Sequence, residues 1–321
     1  MARFVIAFGG NALVREDERG TWGQQSGHAL EAARAIARIA RANDVVLTHG
    51  NGPQVGALAL QQALGEPSAP ALPLDVLGAM TQGEIGYLLQ QALGVVDPSL
   101  RTVTVLTRVV VDGDDEAFAA EPTKPIGPFY SEEEARRLTV ERGWHAAEDA
   151  GRGWRRMVHS PRPRRIREID AIRTLLEAGS LVIAGGGGGI PIVEKDEHPT
   201  GIDAVIDKDR CAAELAAEVE ADLLVLITGV PRVALGFGTP GQRAALLLTV
   251  SDAQRHLAAG EFPAGSMGPK VEGAARFAQA GGSAVITDAA HLAAAVRGQH
   301  GTWIVPDAQG PSRLEPDPVI V

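Results

Sequence analysis

The chain has few cysteine, aromatic and lysine residues, and it lacks long apolar runs. A single cysteine, Cys211, excludes an intramolecular disulfide and is compatible with a reducing compartment. Aromatic residues make up 4% of the 321 residues and hydrophobic residues 45%, so the core must be aliphatic. The apolar run before Gly9 is too short for a secretion signal, and none approaches the ~18 residues of a membrane-spanning helix. We therefore expect a soluble, cytoplasmic protein.

The net charge of −10 and the pI near 5.3 argue against two classes of partner. Nucleic acids and anionic membranes both bind basic surfaces, because binding releases their counterions. No cluster of cysteines or paired histidines offers zinc ligands. Cys211 lies in an alanine-rich helical segment, which favours a packed thiol over a nucleophile. Small molecules are therefore the expected ligands, with no nucleic acid and no membrane as partners.

Lysine is scarce where arginine is common: only four of the 30 basic residues are lysine. An ammonium group is a compact, mobile point charge that a rigid guanidinium cannot replace. Phosphoryl transfer needs such charges, because the negative charge of the transferred group must be neutralised as it moves. The alternative is that each lysine is present by chance. We interpret Lys195 as one member of a surface ion pair. The four are Lys124, Lys195, Lys208 and Lys270.

Strands, glycine-rich turns and helices alternate, which predicts an α/β fold with a mainly parallel sheet covered on both faces. Ligands are expected at the carboxyl ends of its strands. The segment 112–165 breaks this rhythm and indicates an inserted subdomain, with a helix capped by Ser131 and Glu134. A later helix is expected to be capped by Ser251 and Gln254. The predicted strands are 4–8, 44–48, 103–111, 181–184, 223–228, 284–287 and 303–305; the predicted helices include 24–42, 74–93, 168–177 and 210–220.

Two short loops follow the first two predicted strands. Glycine lets backbone N–H groups approach an anion without a Cβ in the way, and asparagine can donate to an oxygen. The second loop also begins a helix, whose dipole favours negative charge. Either loop alone can be a plain turn, but together they can face one ligand, and we interpret the preceding His49 as structural. The loops are Gly9, Gly10 and Asn11, and Gly50, Asn51 and Gly52.

Three further segments complete the candidate site. The glycine run 185–189 is not a dinucleotide fingerprint, because Ile190 and Pro191 prevent an immediate helix. It instead favours close approach of phosphate groups. Asp209 is expected to cap a helix and to accept hydrogen bonds from two lysines. Lys270 lies at the positive end of a helix dipole, which is unfavourable unless an anion lies between them.

These motifs resemble those of the carbamate kinases in the amino acid kinase superfamily. The resemblance extends over nearly the whole chain, in order. It implies the amino acid kinase fold, a three-layer αβα sandwich with a protruding inserted subdomain. The matching segments are 9–13, 48–56, 74–83, 122–125, 185–191, 203–209 and 265–270.

The resemblance also implies an activity, namely ATP-dependent, reversible phosphorylation of carbamate to carbamoyl phosphate, with Mg²⁺, in a homodimer. It implies an N-terminal lobe (1–111) that binds carbamate and contributes dimer contacts. A protruding lid (112–165) and a C-terminal nucleotide-binding lobe (166–321) complete the division.

Individual roles follow from the same resemblance. Gly9, Gly10, Asn11, Gly50, Asn51 and Gly52 would cradle carbamate and the moving phosphoryl group. Lys124 would reach in from the lid, Lys208 and Lys270 would neutralise phosphates, and Asp209 would orient the lysines. The nucleotide would contact Gly186, Gly187, Lys208, Thr228, Gly229, Met267, Gly268 and Lys270; the metal ligands remain unassigned.

One region departs from the family pattern. Gly229 follows Thr228 where an aspartate is usual, and Pro231 and Arg232 stand where another acidic residue is common. Two alternatives therefore stay open: a kinase for another small carboxylate or carbamate-like anion, and a carbamoyl phosphate sensor without catalysis.

Overall fold

The computed structural model describes residues 1–9, 13–15, 18–66, 68–149, 151–195, 198–263 and 265–315. The strands in these ranges are β1 (Ala2–Phe8), β2 (Asn43–His49), β3 (Thr102–Thr104), β4 (Arg108–Val111), β5 (Lys124–Tyr130), β6 (His145–Glu148), β7 (Trp154–Val158), β8 (Pro163–Ile166), β9 (Leu181–Ile183), β10 (Ile190–Lys195), β11 (His198–Gly201), β12 (Leu223–Thr228), β13 (Ala234–Leu235), β14 (Arg243–Thr249), β15 (Ser283–Asp288), β16 (Thr302–Val305) and β17 (Arg313–Leu314).

Helices cover both faces of the sheet. They are α1 (Trp22–Ala40), α2 (Gly52–Gly65), α3 (Leu74–Val96), α4 (Glu116–Ala119), α5 (Glu132–Arg142), α6 (Ile169–Glu177), α7 (Lys208–Glu218), α8 (Val250–Ala258), α9 (Met267–Gln279) and α10 (Leu292–Ala295). None of these described helices combines the length and the apolar character that crossing a bilayer requires.

The central sheet has the order β13-β14-β16-β15-β12-β1-β2-β9-β3, with β17 paired to β14. Its middle is parallel, because β1 pairs in parallel with both β2 and β12. Val5 and Ala7 of β1 belong to the core under α7 and α9, whereas Ile6 and Phe8 belong to the core under α1 and α3. A strand that is apolar on both faces must be covered on both faces. The predicted three-layer α/β fold is therefore confirmed.

The predicted strand 103–111 was wrong as a single element. β3 pairs with β9 in the central sheet, whereas β4 lies in a second sheet of order β11-β10-β4-β8. Thr107 separates the two strands, because its N–H donates to Oε1 of Gln82 (2.7 Å) and its hydroxyl donates to the carbonyl of Val105 (2.7 Å). A side chain of α3 thus replaces a neighbouring strand at this point.

Helix caps agree with the sequence in one case and differ in another. Ser131 and Glu134 form the predicted capping box at α5. The predicted cap of α8 by Ser251 and Gln254 was wrong, because the side chain of Thr249 accepts the N–H of Asp252 at 3.2 Å. The helix therefore begins one residue before the predicted cap.

The segment between β4 and β8 builds a separate antiparallel sheet of order β5-β7-β6, packed with α5. Arg152, in the loop before β7, and Arg155, in β7, lie over the ring of Phe129 in β5. α2 packs against β5, with Gly56 close to the backbone of Gly127. This small sheet therefore holds the start of β5 next to the beginning of α2.

Candidate active site

A cavity of about 200 Å³ lies where the small sheet meets the central sheet. Lys124 at the start of β5, Lys208 at the start of α7 and Lys270 in the first turn of α9 all line it. Three of the four lysines of the chain thus surround one space. The other lining residues are Gly50, Asn51, Gly52, Val55, Leu74, Gly78, Pro125, Ile126, Gly187, Gly189, Pro191, Ala204, Val205, Ile206, Asp207, Asp209, Gly265 and Ser266.

Asp209 joins two of these lysines. Its Oδ1 accepts a hydrogen bond from Nζ of Lys208 at 2.7 Å, and its Oδ2 accepts one from Nζ of Lys270 at 3.0 Å. The carboxylate is buried, with 3% of its surface exposed. This is the geometry that the sequence hypothesis requires of Asp209, because a charge-assisted bond to each oxygen fixes the direction of both ammonium groups.

Asp207 was missed as a site residue, and it makes the cap that was assigned to Asp209. Its Oδ1 accepts the N–H groups of Asp209 (2.9 Å) and Arg210 (3.4 Å), and its Oδ2 accepts Nζ of Lys124 at 2.7 Å. Burial would raise the pKa of this carboxyl, but the charge and hydrogen bond of Lys124 outweigh burial and lower it to about 2. The available sequence signal was an acidic residue just before a helix.

The cluster carries more positive than negative charge. Three ammonium groups, on Lys124, Lys208 and Lys270, face the carboxylates of Asp207 and Asp209. Burial and the charge of Lys208 lower the pKa of Lys270 below its usual value, while Asp209 opposes this shift. Unlike a surface lysine, Lys270 is 8% exposed. An anion that enters the cavity would therefore relieve repulsion among these three cations, of which Lys270 is already largely desolvated.

The loop after β2 forms another wall of the cavity. Gly50, Asn51 and Gly52 lead directly into α2. His49 beneath them is buried, and its Nδ1 donates to the carbonyl of Gly50 at 3.1 Å. Burial lowers the pKa of His49 to about 4, so the ring is neutral near pH 7, in agreement with the structural interpretation. Gly9 directly follows β1, is half-buried and does not line the cavity, whereas Gly10 and Asn11 lie outside the described residues.

The glycine run packs against this loop. A Cβ on Gly186 would lie 2.3 Å from Nε2 of His49, and one on Gly187 would lie 2.3 Å from Nδ2 of Asn51. Gly187 also has a φ of +68°, which favours glycine. The run therefore consists of glycine because two chain segments meet here, and Gly187 remains at the cavity wall. β10 follows the run, as expected from Ile190 and Pro191.

The residues predicted to contact a nucleotide are not all in one place. Lys208, Lys270 and Gly187 line the cavity. Within the described residues, the lining omits the remaining five. Gly186 is buried beneath the cavity wall. Thr228 ends β12 opposite Asp288, and Gly229 is exposed beyond it. Met267 and Gly268 begin the first turn of α9, where the N–H of Gly268 donates to the carbonyl of Pro263 at 2.9 Å.

Two residues set aside by the sequence reasoning lie away from the cavity wall. Lys195 is exposed at the end of β10, while the neighbouring Glu194 pairs with Arg165 and Arg167. Cys211 is buried in α7, and burial raises the pKa of its thiol, which confirms a packed thiol. Neither residue is placed to act on a ligand.

The described residues do not offer a ready-made metal site. No group of three or more histidine, cysteine, aspartate or glutamate side chains in this part of the chain is arranged to hold a metal ion. Both carboxylates at the cavity, Asp207 and Asp209, are engaged by lysines. A Mg²⁺ ion would therefore need most of its ligands from phosphate oxygens and water.

Comparison with known proteins shows the family of the chain. Residues 2–288 match the model of the amino acid kinase family. The carbamate kinase of Thermococcus kodakarensis is 45% identical over 95% of this chain and 99% of its own length, and that of Rhizobium meliloti is 49% identical over 94% and 93%. The structure of carbamate kinase from Giardia lamblia bound to AMP-PNP superposes with a TM-score of 0.89 at 41% identity, covering 95% of this chain and 99% of that one. The chain therefore belongs to the amino acid kinase family and, within it, to the carbamate kinases.

Proposed function

We propose that the protein transfers a phosphoryl group reversibly between ATP and carbamate, giving ADP and carbamoyl phosphate. The observation that carries the proposal is the convergence of Lys124, Lys208 and Lys270 on one cavity, beside the loop of Gly50 and Asn51. Such a cavity suits a small anion that reacts with a phosphate. Family membership supports the same reaction.

In this reaction an oxygen of carbamate attacks the γ-phosphorus of ATP. The new O–P bond forms as the bond from phosphorus to the β,γ-bridging oxygen breaks, and ADP leaves with that electron pair. The attacking oxygen carries no proton, so the protein needs no general base; it needs positioning and neutralisation of charge. The ammonium groups of Lys208 and Lys270, held by Asp209, and of Lys124, held by Asp207, supply the charge.

The proposed division of labour follows the three segments of the chain. Residues 1–111 provide the carbamate loops, including Gly9, Gly10 and Asn11 as well as Gly50, Asn51 and Gly52. Residues 112–165 act as the lid that carries Lys124. Residues 166–321 bind the nucleotide, and its contacts beyond the cavity are Thr228, Gly229, Met267 and Gly268. Mg²⁺ enters the site bound to the phosphates of the nucleotide.

The proposed homodimer uses the exposed side of α1 and α3. Tyr87 of α3 is 55% exposed, and its ring stacks on that of Trp22 at a centroid distance of 6.2 Å. Met80 and Val95 on the same helix are 40% and 71% exposed. Exposed large apolar side chains along one helix favour an interface. Light scattering should give twice the mass of 33.5 kDa.

The reverse reaction tests the function. Purified protein is mixed with carbamoyl phosphate, Mg²⁺ and ADP, and ATP is detected through a coupled enzyme. We expect steady ATP formation, and its loss in Lys270→Ala. The proposal is wrong if neither ATP forms from ADP nor GTP from GDP, while calorimetry shows that carbamoyl phosphate binds.

A further inference from the structure

A chain of hydrogen bonds fixes the orientation of the Asn51 side chain at the cavity wall. Thr81 of α3 is completely buried, and its Oγ1 lies 2.8 Å from the carbonyl oxygen of Gly78. A carbonyl can only accept, so the single hydroxyl hydrogen of Thr81 is used there. Nδ2 of Asn51 lies 2.8 Å from the same Oγ1. The hydroxyl oxygen must accept this bond, so Asn51 presents its NH₂ group to Thr81.

The side chain of Asn51 makes no other use of its polar atoms among the described residues. It occupies the N-cap position of α2, where asparagine ordinarily accepts an N–H of the first helical turn, but that bond is not formed. Gly187 closes one side of the amide, since a Cβ there would lie 2.3 Å from Nδ2 and 2.8 Å from Oδ1. The carbonyl oxygen and the second hydrogen of Nδ2 are therefore left for a ligand in the cavity.

Carbamate matches this pair of groups. Its NH₂ group donates and its adjacent carboxylate oxygen accepts, which complements an acceptor and a donor on one primary amide. Acetate has a methyl group in place of the NH₂, so it would leave Oδ1 of Asn51 desolvated and unpaired. A site that hydrogen-bonds an NH group rejects analogues that lack it much more strongly than a site that only fits their shape.

We infer that Asn51 distinguishes carbamate from carboxylates without an N–H, and that Thr81 is the positioning residue that directs the carbonyl of Asn51 to the substrate. This inference rests on the proposed function and adds the origin of its specificity. Without the hydroxyl of Thr81 the amide can turn over. It would then present its NH₂ group where the NH₂ of carbamate lies, and two donors would face each other.

The test compares carbamoyl phosphate with acetyl phosphate, which replaces NH₂ by CH₃. ATP formation from ADP gives kcat/KM for each, and their ratio measures discrimination. Thr81→Val removes the hydroxyl and keeps the shape; Thr81→Ser keeps the hydroxyl and is the matched control. We expect Thr81→Val to lower the ratio about tenfold, mainly through carbamoyl phosphate, as for the loss of one hydrogen bond. Thr81→Ser should retain the ratio.

A second variant keeps the inference testable if Thr81→Val folds poorly. Asn51→Ala removes the amide itself and should lower the ratio at least as much. Combining it with Thr81→Val should lower the ratio no further, because both changes remove the same interaction. If Thr81 had a merely structural role, its substitution would reduce kcat/KM equally for both substrates.

Equal losses on both substrates in Thr81→Val, or an unchanged ratio in Asn51→Ala, would overturn the inference while leaving the proposed function intact. A wild-type protein that forms ATP from neither substrate would contradict the proposed function and the inference together. The two failures are therefore distinguishable in one set of assays.

Discussion

Replacing Asp209 by asparagine removes one negative charge from between the buried ammonium group of Lys270 and the partly buried one of Lys208. The oxygens of Asp209 lie 2.7 Å from Nζ of Lys208 and 3.0 Å from Nζ of Lys270. At an effective dielectric constant of ~20, unit charges ~3 Å apart attract by about 5 kcal/mol before desolvation is subtracted. Removing one partner of a buried pair costs about 3–5 kcal/mol, because it leaves a buried charge without compensation.

The expected result of Asp209→Asn is a loss of kcat of about a hundredfold to a thousandfold, the scale for losing one preorganised electrostatic partner. The bound phosphates supply part of the missing negative charge, so binding should suffer less than the rate. The amide of asparagine can accept from one lysine but must present its NH₂ group to the other. At least one ammonium group therefore loses its direction.

The pH dependence of the rate provides a second readout. Burial and the charge of Lys208 lower the pKa of Lys270, and Asp209 raises it. Activity requires the protonated lysine, so it is lost as the pH rises through this pKa. Asp209→Asn removes the raising influence and moves the alkaline limb of the kcat profile to lower pH.

The assay is ATP formation from carbamoyl phosphate and ADP across the alkaline range. Lys195→Ala is the control, because Lys195 is exposed and does not line the cavity. Its kcat should match that of the wild type. The electrostatic reasoning is refuted if Asp209→Asn retains kcat within threefold and keeps the same alkaline limb.

Three further predictions concern other buried groups. Asp207→Ala should lower the free energy of unfolding in urea by about 1 kcal/mol more than Asp207→Asn, because only asparagine can still cap α7; equal losses would contradict the cap. The pKa of His49 is lowered from 6.5 to about 4, so the unfolded chain binds this proton first as the pH falls. The free energy of unfolding should therefore decline from pH 6.5 towards pH 4, by up to about 3 kcal/mol, and it should decline less in His49→Gln. Thermal unfolding that shows the same decline with pH in the wild type and in His49→Gln would refute this. A thiol reagent such as dithionitrobenzoate should leave native Cys211 unmodified and react once urea unfolds the chain, because the thiol is buried and its pKa is raised; rapid labelling of the native protein would contradict its placement.

Local patterns in the sequence account for the layers of the fold and for the lysines. The apolar run of β1 predicts a strand buried on both faces, and the capping box of Ser131 and Glu134 predicts the start of α5. Both depend on neighbours in the sequence. The scarcity of lysine also singled out Lys124, Lys208 and Lys270, because a rare residue type is visible without coordinates.

Contacts between distant segments decided the remainder. Thr107 divides the predicted strand 103–111 because Gln82, from α3, binds its N–H. Asp207 became a site residue only when folding brought Lys124 from β5 to its free oxygen.

By itself, the sequence determined most of the elements, the three lysines of the site and the role of Asp209, since periodicity, capping boxes and rare residue types can be read along the chain. Only the tertiary structure decided how those charges pair and which way Asn51 faces. Thr81 lies 30 positions from Asn51 along the chain, and its hydrogen bond depends on a packing of α3 against α2 that no spacing encodes.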